Sequence, residues 1–324
     1  MESARCPAHP DASLRPAVVT AGDRFWGHAG TFTYGQCPDC ATWVLDPRPT
    51  AAEIGPFYAG YYNAEELGAR RRKADKDGAA GALGFDRLRA LDAVRRLGKL
   101  GAELGPGRRL LDAGCGLGAF ARAMRDLTGI EVRGVDFDAR CAAFAAEVFE
   151  VPVDVGVLAA QGYPEGAFDL VTSWHCLEHV HDPPAELAEL ARVTRPGGRL
   201  LLEVPTLSAI GRLFRGRWLF LQAPTHLYHF APVALRALVE RAGFEVEAVT
   251  RPWMPTELAG SVMMALGLHG FAPRVMFPRS GWRAAGWRVL LAALLPLDVV
   301  VTLVEALLGG AGVVRLVARR KEVA

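Results

Sequence analysis

The sequence carries almost no net charge: 37 lysines and arginines stand against 35 aspartates and glutamates, a formal +2 over 324 residues. Without a field of one sign there is no reason to expect a nucleic-acid partner, and the basic run from Arg70 to Lys73 reads as a solvated stretch. Cysteine is scarce, at six. The opening residues, MESARCPAHPDASLRP, lack the basic-then-apolar order of a secretory leader. A cytoplasmic, reducing location is therefore expected, with the cysteines as thiols or metal ligands rather than disulfides. An uninterrupted apolar run of membrane-spanning length is also missing. The apolar stretch 289–304 has sixteen residues and contains Pro296 and Asp298, so no transmembrane helix is expected.

What is present is apolar material for a sizeable core, 51% of the chain. The first forty residues have few aliphatics but two cysteine-bearing pairs, Cys6 with His9 and Cys37 with Cys40, separated by 27 residues. The two-residue gap in each pair lets both side chains face one ion, which suits tetrahedral zinc, and metal binding would supply stability that so small a segment cannot draw from a core. With all four positions filled by protein, such a zinc would be structural. His28 is a substitute for His9. Residues 1–63 are read as this metal-binding segment followed by a short helix bearing Phe57, Tyr58, Tyr61 and Tyr62, whose spacing suggests packing. Residues 64–84 are read as a mobile linker, and 85–104 as an amphipathic helix opening a domain that runs to 324.

A strand-like run, RLLDAG from Arg109, leads into Gly114, Gly116 and Gly118, then a helix over 119–127 and a second strand, EVRGVDFD. This is a βαβ unit with a glycine turn that lets a ligand approach the backbone at a helix N-terminus. Asp136, twenty-two residues after Gly114, ends the second strand and can accept from both hydroxyls of a ribose. A nicotinamide enzyme would look the same to this point. Asp112 separates the readings, because a carboxylate beside the turn would repel a pyrophosphate and attract a cation such as the sulfonium and ammonium of S-adenosylmethionine. The spacing is G-x-G-x-G, not G-x-G-x-x-G.

On these residues the sequence resembles the class I S-adenosylmethionine-dependent methyltransferases. LLDAGCGLG and GVDFD resemble their first two motifs, FDLVTSWHCLEHVHDP the fourth-strand segment, VTRPGGRLLLEVP the turn into the fifth, THLYHFAPVALRALVERAGFEV the approach to the sixth, and VVRLVAR a last strand. The implied fold is α/β, a three-layer Rossmann-like methyltransferase sheet with a small N-terminal metal-binding segment and a C-terminal helical insertion, 252–310, before the last strand. The N-terminal cysteines and LDPRPTAAEI are similar to the zinc-ribbon extension of one bacterial branch, although His9 stands where that branch has a cysteine and Ala41 where glycine is usual. The resemblance gives Asp112, Gly114, Gly116 and Gly118 to the methionine and ribose side of the cofactor and Asp136 to the ribose hydroxyls. It places Phe137 on the adenine, residues 156–158 at the adenine edge, and Trp174 and His175 near the reactive methyl.

Methyl transfer needs mainly positioning, but a hydroxyl acceptor must also lose its proton, usually to a histidine. His175, His179, His226 and His229 are available, with His179 and His226 the catalytic candidates; capping of loops by these histidines is the alternative. HCLEH also matches H-x-x-E-H, a metalloprotease motif, but Pro183 and Pro184 end any helix too soon for that chemistry. Some quinone-type methyltransferases place a divalent ion at the related Glu-His pair, here Glu178 and His179.

Residues 252–310 are expected to form two short helices broken at Pro296, packed on the core or lying in a membrane interface. Trp253, Trp282, Trp287, Arg279, Arg283 and Arg288 suit such peripheral contact or a pocket lid. The expectation is an O-methyltransferase acting on a small molecule, a sugar or a lipid-linked intermediate, with S-adenosylmethionine and a structural zinc. The rivals are a nicotinamide-dependent oxidoreductase and an inactive zinc-ribbon adaptor.

Overall fold

The computed structural model describes residues 1–272, 275 and 282–322. Three short strands come first: β1 (Arg15–Ala21), β2 (Thr31–Gln36) and β3 (Trp43–Leu45). Helices α1 (Ala64–Ala82) and α2 (Phe85–Lys99) lead into alternating β4 (Arg109–Ala113), α3 (Ala119–Thr128), β5 (Glu131–Asp136), α4 (Ala139–Phe144) and β6 (Val153–Val155). Then follow β7 (Phe168–Trp174), α5 (Pro183–Val193), β8 (Thr194–Pro205), α6 (Ala209–Phe214), β9 (Tyr228–His229), α7 (Pro232–Arg241) and β10 (Phe244–Thr250). The described chain closes with α8 (Glu257–Ala265), α9 (Trp282–Leu307) and β11 (Val313–Arg320).

The main sheet has the order β10-β11-β8-β7-β4-β5-β6, parallel from β8 to β6, with β11 inserted antiparallel between β8 and β10. Strand periodicity sorts its side chains into two cores. Leu111, Val171, Leu200, Leu202 and Leu316 face the layer that holds α5 and α7, whereas Leu110, Leu170, Trp174, Leu201 and Val317 face α2 and α3. Both faces are covered, as the near-continuous apolar runs in the central strands require. The structure is thus the expected three-layer α/β fold.

Three expectations need correction. Residues 64–82 are helical rather than a loop: the Asn63 side chain accepts from the Glu66 amide, the run is rich in Ala, Glu, Arg and Lys, and Gly78 at φ 72° only kinks it. The first 63 residues are not a separate unit either. β9 pairs with β3 and completes a four-stranded sheet β1-β2-β3-β9, so the amino-terminal segment and the stretch before α7 share one sheet and one core. Finally, α9 is one helix of 26 residues running through Pro296, not two. Arg279 lies outside the described residues, as do the side chains of Trp282 and Arg283.

Candidate active site

The glycine turn sits at the carboxyl end of β4, where ligands bind in open α/β sheets. Gly114, Gly116 and Gly118 all have left-handed φ, at 72°, 52° and 76°. A β-carbon on Gly114 would lie 2.5 Å from the Cys176 sulfur, and one on Gly116 would lie 2.7 Å from the Tyr62 hydroxyl, so neither position tolerates a side chain. Asp112 is buried and accepts from the Thr172 hydroxyl at 2.7 Å; burial pushes its carboxyl up to about 7. Asp136, at the end of β5, accepts from the Gly116 amide at 2.8 Å and the Asp138 amide at 3.0 Å, and burial raises its pKa too. Both acids favour a cation or a hydrogen-bond donor as neighbour. Phe137 is 59% exposed, with its edge against the Tyr58 ring at 5.2 Å, as a side chain that covers a flat ligand would be.

Trp174 differs from expectation. It shares the parity of Leu170 on β7 and therefore turns into the α2–α3 core, held between the guanidinium groups of Arg89 and Arg315 at 4.9 and 5.0 Å, with Phe120 at 4.8 Å. Its place is structural packing rather than the cofactor's edge. His175, at φ 50°, lies 3.1 Å from Glu203 and 3.6 Å from Glu178. Burial opposes its charge, but the two carboxylates outweigh this and push His175 up to about 9, so it is a cation at neutral pH and not a base. Despite burial, Glu203 is held down to about 2 by His175, Arg315 and Arg89.

His179 and His226 come together from opposite sides, with ring centroids 4.8 Å apart. His179 Nδ1 lies 2.8 Å from the Thr225 carbonyl, and His226 Nδ1 lies 2.8 Å from the Phe220 carbonyl. A carbonyl only accepts, so each Nδ1 carries the hydrogen and each Nε2 keeps its lone pair. Both Nε2 atoms stand 4.0 Å from Glu178 Oε1, whose carboxylate is wholly buried and, among the described residues, accepts no hydrogen bond. Burial lowers the pKa of both histidines, His226 strongly. Two imidazole lone pairs and a carboxylate that also faces His175 form a group that can take up protons or hold a divalent cation. The H-x-x-E-H protease arrangement is absent: residues 177–179 form a single 3₁₀ turn, and His175 faces Glu203 instead of sharing a helix face with His179. His229 is buried behind this group, against Trp218.

The aromatic cluster read as packing contributes to the site. Tyr58 lies 3.1 Å from His179 Nδ1, Tyr61 meets the Thr225 hydroxyl at 3.2 Å, and Tyr62 covers Gly116. Their recurrence beside the turn 55–58 was visible in the sequence; the chain reversal that brings them over the sheet was not. Arg89, 3.9 Å from Glu203, carried no motif at all.

At the other end of the amino-terminal sheet, Cys6, His9, Cys37 and Cys40 place one ligand atom each within 4.8 Å of the others. Cys6 and Cys40 sulfurs are 3.6 Å apart, and His9 Nδ1 is 3.9 Å from Cys6 and 3.8 Å from Cys37. The hydrogen bond between the two sulfurs lowers the Cys40 pKa and raises that of Cys6. Three sulfurs and one imidazole at these separations fit a tetrahedral zinc.

Residues 85–249, just over half of the chain, match the profile of a family described as a methyltransferase domain. The chain belongs to the class I S-adenosylmethionine-dependent methyltransferases. Among relatives, it is 33% identical over 186 residues to a ubiquinone biosynthesis O-methyltransferase of Xanthomonas axonopodis pv. citri, covering 51% of this chain and 76% of the relative. It is 31% identical over 157 residues to the enzyme of that name from Thiobacillus denitrificans, covering 44% and 67%. Among solved structures, a phosphoethanolamine N-methyltransferase 2 of Haemonchus contortus superposes with a TM-score of 0.55 at 17% identity, covering 87% of this chain and 64% of that one. That last likeness is one of fold. The methyltransferase core thus occupies the main sheet, with S-adenosylmethionine as its methyl donor.

Proposed function

We propose that this methyltransferase methylates a hydroxyl group on a small molecule, a sugar or a lipid-linked intermediate. The observation that carries the reading is the pair of neutral imidazoles, His179 and His226, with free Nε2 lone pairs beside buried Glu178. In the reaction the acceptor oxygen attacks the methyl carbon, the carbon–sulfur bond breaks and leaves a neutral thioether, and the hydroxyl proton passes to an Nε2 atom. Asp112, Asp136 and Phe137 would hold the cofactor, with its cationic end toward Asp112. The O-methyltransferase names of the two sequence relatives support the choice of oxygen. A second reading rests on the same atoms: Glu178, His179 and His226 would hold a divalent cation, which supplies Lewis-acid activation of the hydroxyl. Cys6, His9, Cys37 and Cys40 would hold a structural zinc in a cytoplasmic enzyme.

A mass-spectrometric screen of sugar, lipid and quinone-precursor fractions for a cofactor-dependent gain of one methyl group tests the function. A product methylated on nitrogen or carbon would overturn the hydroxyl reading. Turnover that survives exhaustive chelation would remove the divalent cation and leave the histidines as bases.

A further inference from the structure

Helix α9 is built inside out. Its polar side chains Asp298, Thr302 and Glu305, spaced four and three residues apart, form one buried stripe turned toward the protein. Asp298 accepts from the amides of Thr256 at 2.6 Å and Ala259 at 2.9 Å at the start of α8, and Glu305 accepts from the Ala209 amide at 2.7 Å at the start of α6. Thr302 receives the indole N–H of Trp253 at 2.8 Å. The opposite face is apolar and open: Val289 is 69% exposed and Leu307 78%, and between them lie exposed Leu297, Val300, Leu303 and Val304. The segment Ala285–Leu307 is long and apolar enough to cross a membrane by length and composition, yet only 17% of its most apolar window is buried. A core helix would be covered. A spanning helix would have to surrender the bonds that fasten α9 lengthwise to α6 and α8.

Among the described residues of the adjoining stretches, the exposed charges are of one sign. Between residues 248 and 312 the chain has three acids, Glu257, Asp298 and Glu305, and all three are buried. The same stretch has five arginines, of which Arg288 is exposed at the start of the apolar face. Residues 206–239 contain no acid, and there α6, tied to α9 through Glu305, carries exposed Arg212 beside Leu213, itself 76% exposed. An apolar stripe with exposed Arg288 at its start and Arg212 on the helix tied to it matches an acyl boundary bordered by anionic headgroups.

We propose that the outward face of α9 seats this methyltransferase on the surface of an anionic lipid bilayer, with the helix lying in the interfacial plane. The inference is independent of the methyl acceptor. It is tested by flotation of the full-length protein with vesicles of phosphatidylcholine alone and of phosphatidylcholine with phosphatidylglycerol. The protein should float with the anionic vesicles at least about tenfold better than with neutral ones, and added salt should narrow the difference. The double variant Val300→Glu, Val304→Glu should lose flotation about tenfold or more while binding S-adenosylmethionine with unchanged affinity; because both side chains are exposed, the fold is preserved. Arg288→Gln should weaken only the anionic preference. Failure to float with either vesicle, or equal flotation with both, would overturn the proposal. So would a dimer in light scattering that the double variant converts to monomer, since a second copy would then cover the face.

Discussion

Asp112 and the histidines His179 and His226 are tuned by burial in opposite directions, and each has a measurable consequence. Because Asp112 titrates near 7 without ligand, a cation beside it binds best once the carboxyl has ionised. Affinity for S-adenosylmethionine should therefore rise as pH increases through about 7, and Asp112→Asn should weaken binding and flatten that dependence; calorimetric titration on either side of neutrality checks both. If His179 or His226 is the base, its lowered pKa keeps it neutral in more acid solution. The acid limb of turnover should then fall below the usual 6.5 of histidine. His179→Ala or His226→Ala should cost roughly 10²-fold in kcat with cofactor affinity retained. A loss of less than about fivefold in both variants would leave positioning alone to carry the reaction.

At the scale of elements, the amino-terminal sheet is the scaffold of the loop that carries His226. Through β9 it takes up residues 228–229, the Tyr34 hydroxyl donates to the carbonyls of His226 at 2.7 Å and Leu221 at 3.2 Å, and Arg48 holds Tyr228 at 2.5 Å. None of these bonds touches the glycine turn. Tyr34→Phe should accordingly lower kcat or raise the acceptor KM while cofactor affinity stays unchanged, and stability should fall by about 1 to 2 kcal/mol for the two buried carbonyls left short of a donor. If Cys6, His9, Cys37 and Cys40 bind zinc, chelation should reproduce that pattern more severely: about one equivalent of metal lost, turnover lost, cofactor binding largely kept. Elemental analysis of protein prepared without chelator, followed by activity and binding assays on the stripped protein, tests this. Retained turnover after complete metal loss would separate the cluster from the loop.

For the molecule as a whole, the last strand closes the fold electrostatically as well as by hydrogen bonding. β11 enters between β8 and β10, and Arg315 lies directly across from Glu203, paired at 2.6 Å in a site where both side chains are buried. The same carboxylate meets His175, so the carboxyl-terminal strand, the sheet centre and the active-site rim share one charge group. Arg315→Met should destabilise the protein by roughly 3 to 5 kcal/mol, because Glu203 is left with fewer cations in a buried site. Chemical denaturation monitored by tryptophan fluorescence is a suitable measure, since the Trp174 ring packs on that guanidinium at 5.0 Å. A change below about 1 kcal/mol would show that Arg89 and His175 suffice.

The sequence by itself determined the methyltransferase sheet, the glycine turn and the acids on either side of it, because those features are local: apolar strands, left-handed glycines and short loops are written within a few residues of one another. The inward turn of Trp174 was legible too, in its strand parity with Leu170. Tertiary structure alone decided that His179 and His226, 47 residues apart in the sequence, face a single buried carboxylate, and that Tyr58 reaches the same histidine. It also decided that α9 continues through Pro296 with its polar residues inward, since the acids that interrupt its apolar run accept from amides at the starts of α6 and α8. Each of these depends on which segments meet across the fold, and pairings of such distant segments leave no periodic trace in the chain.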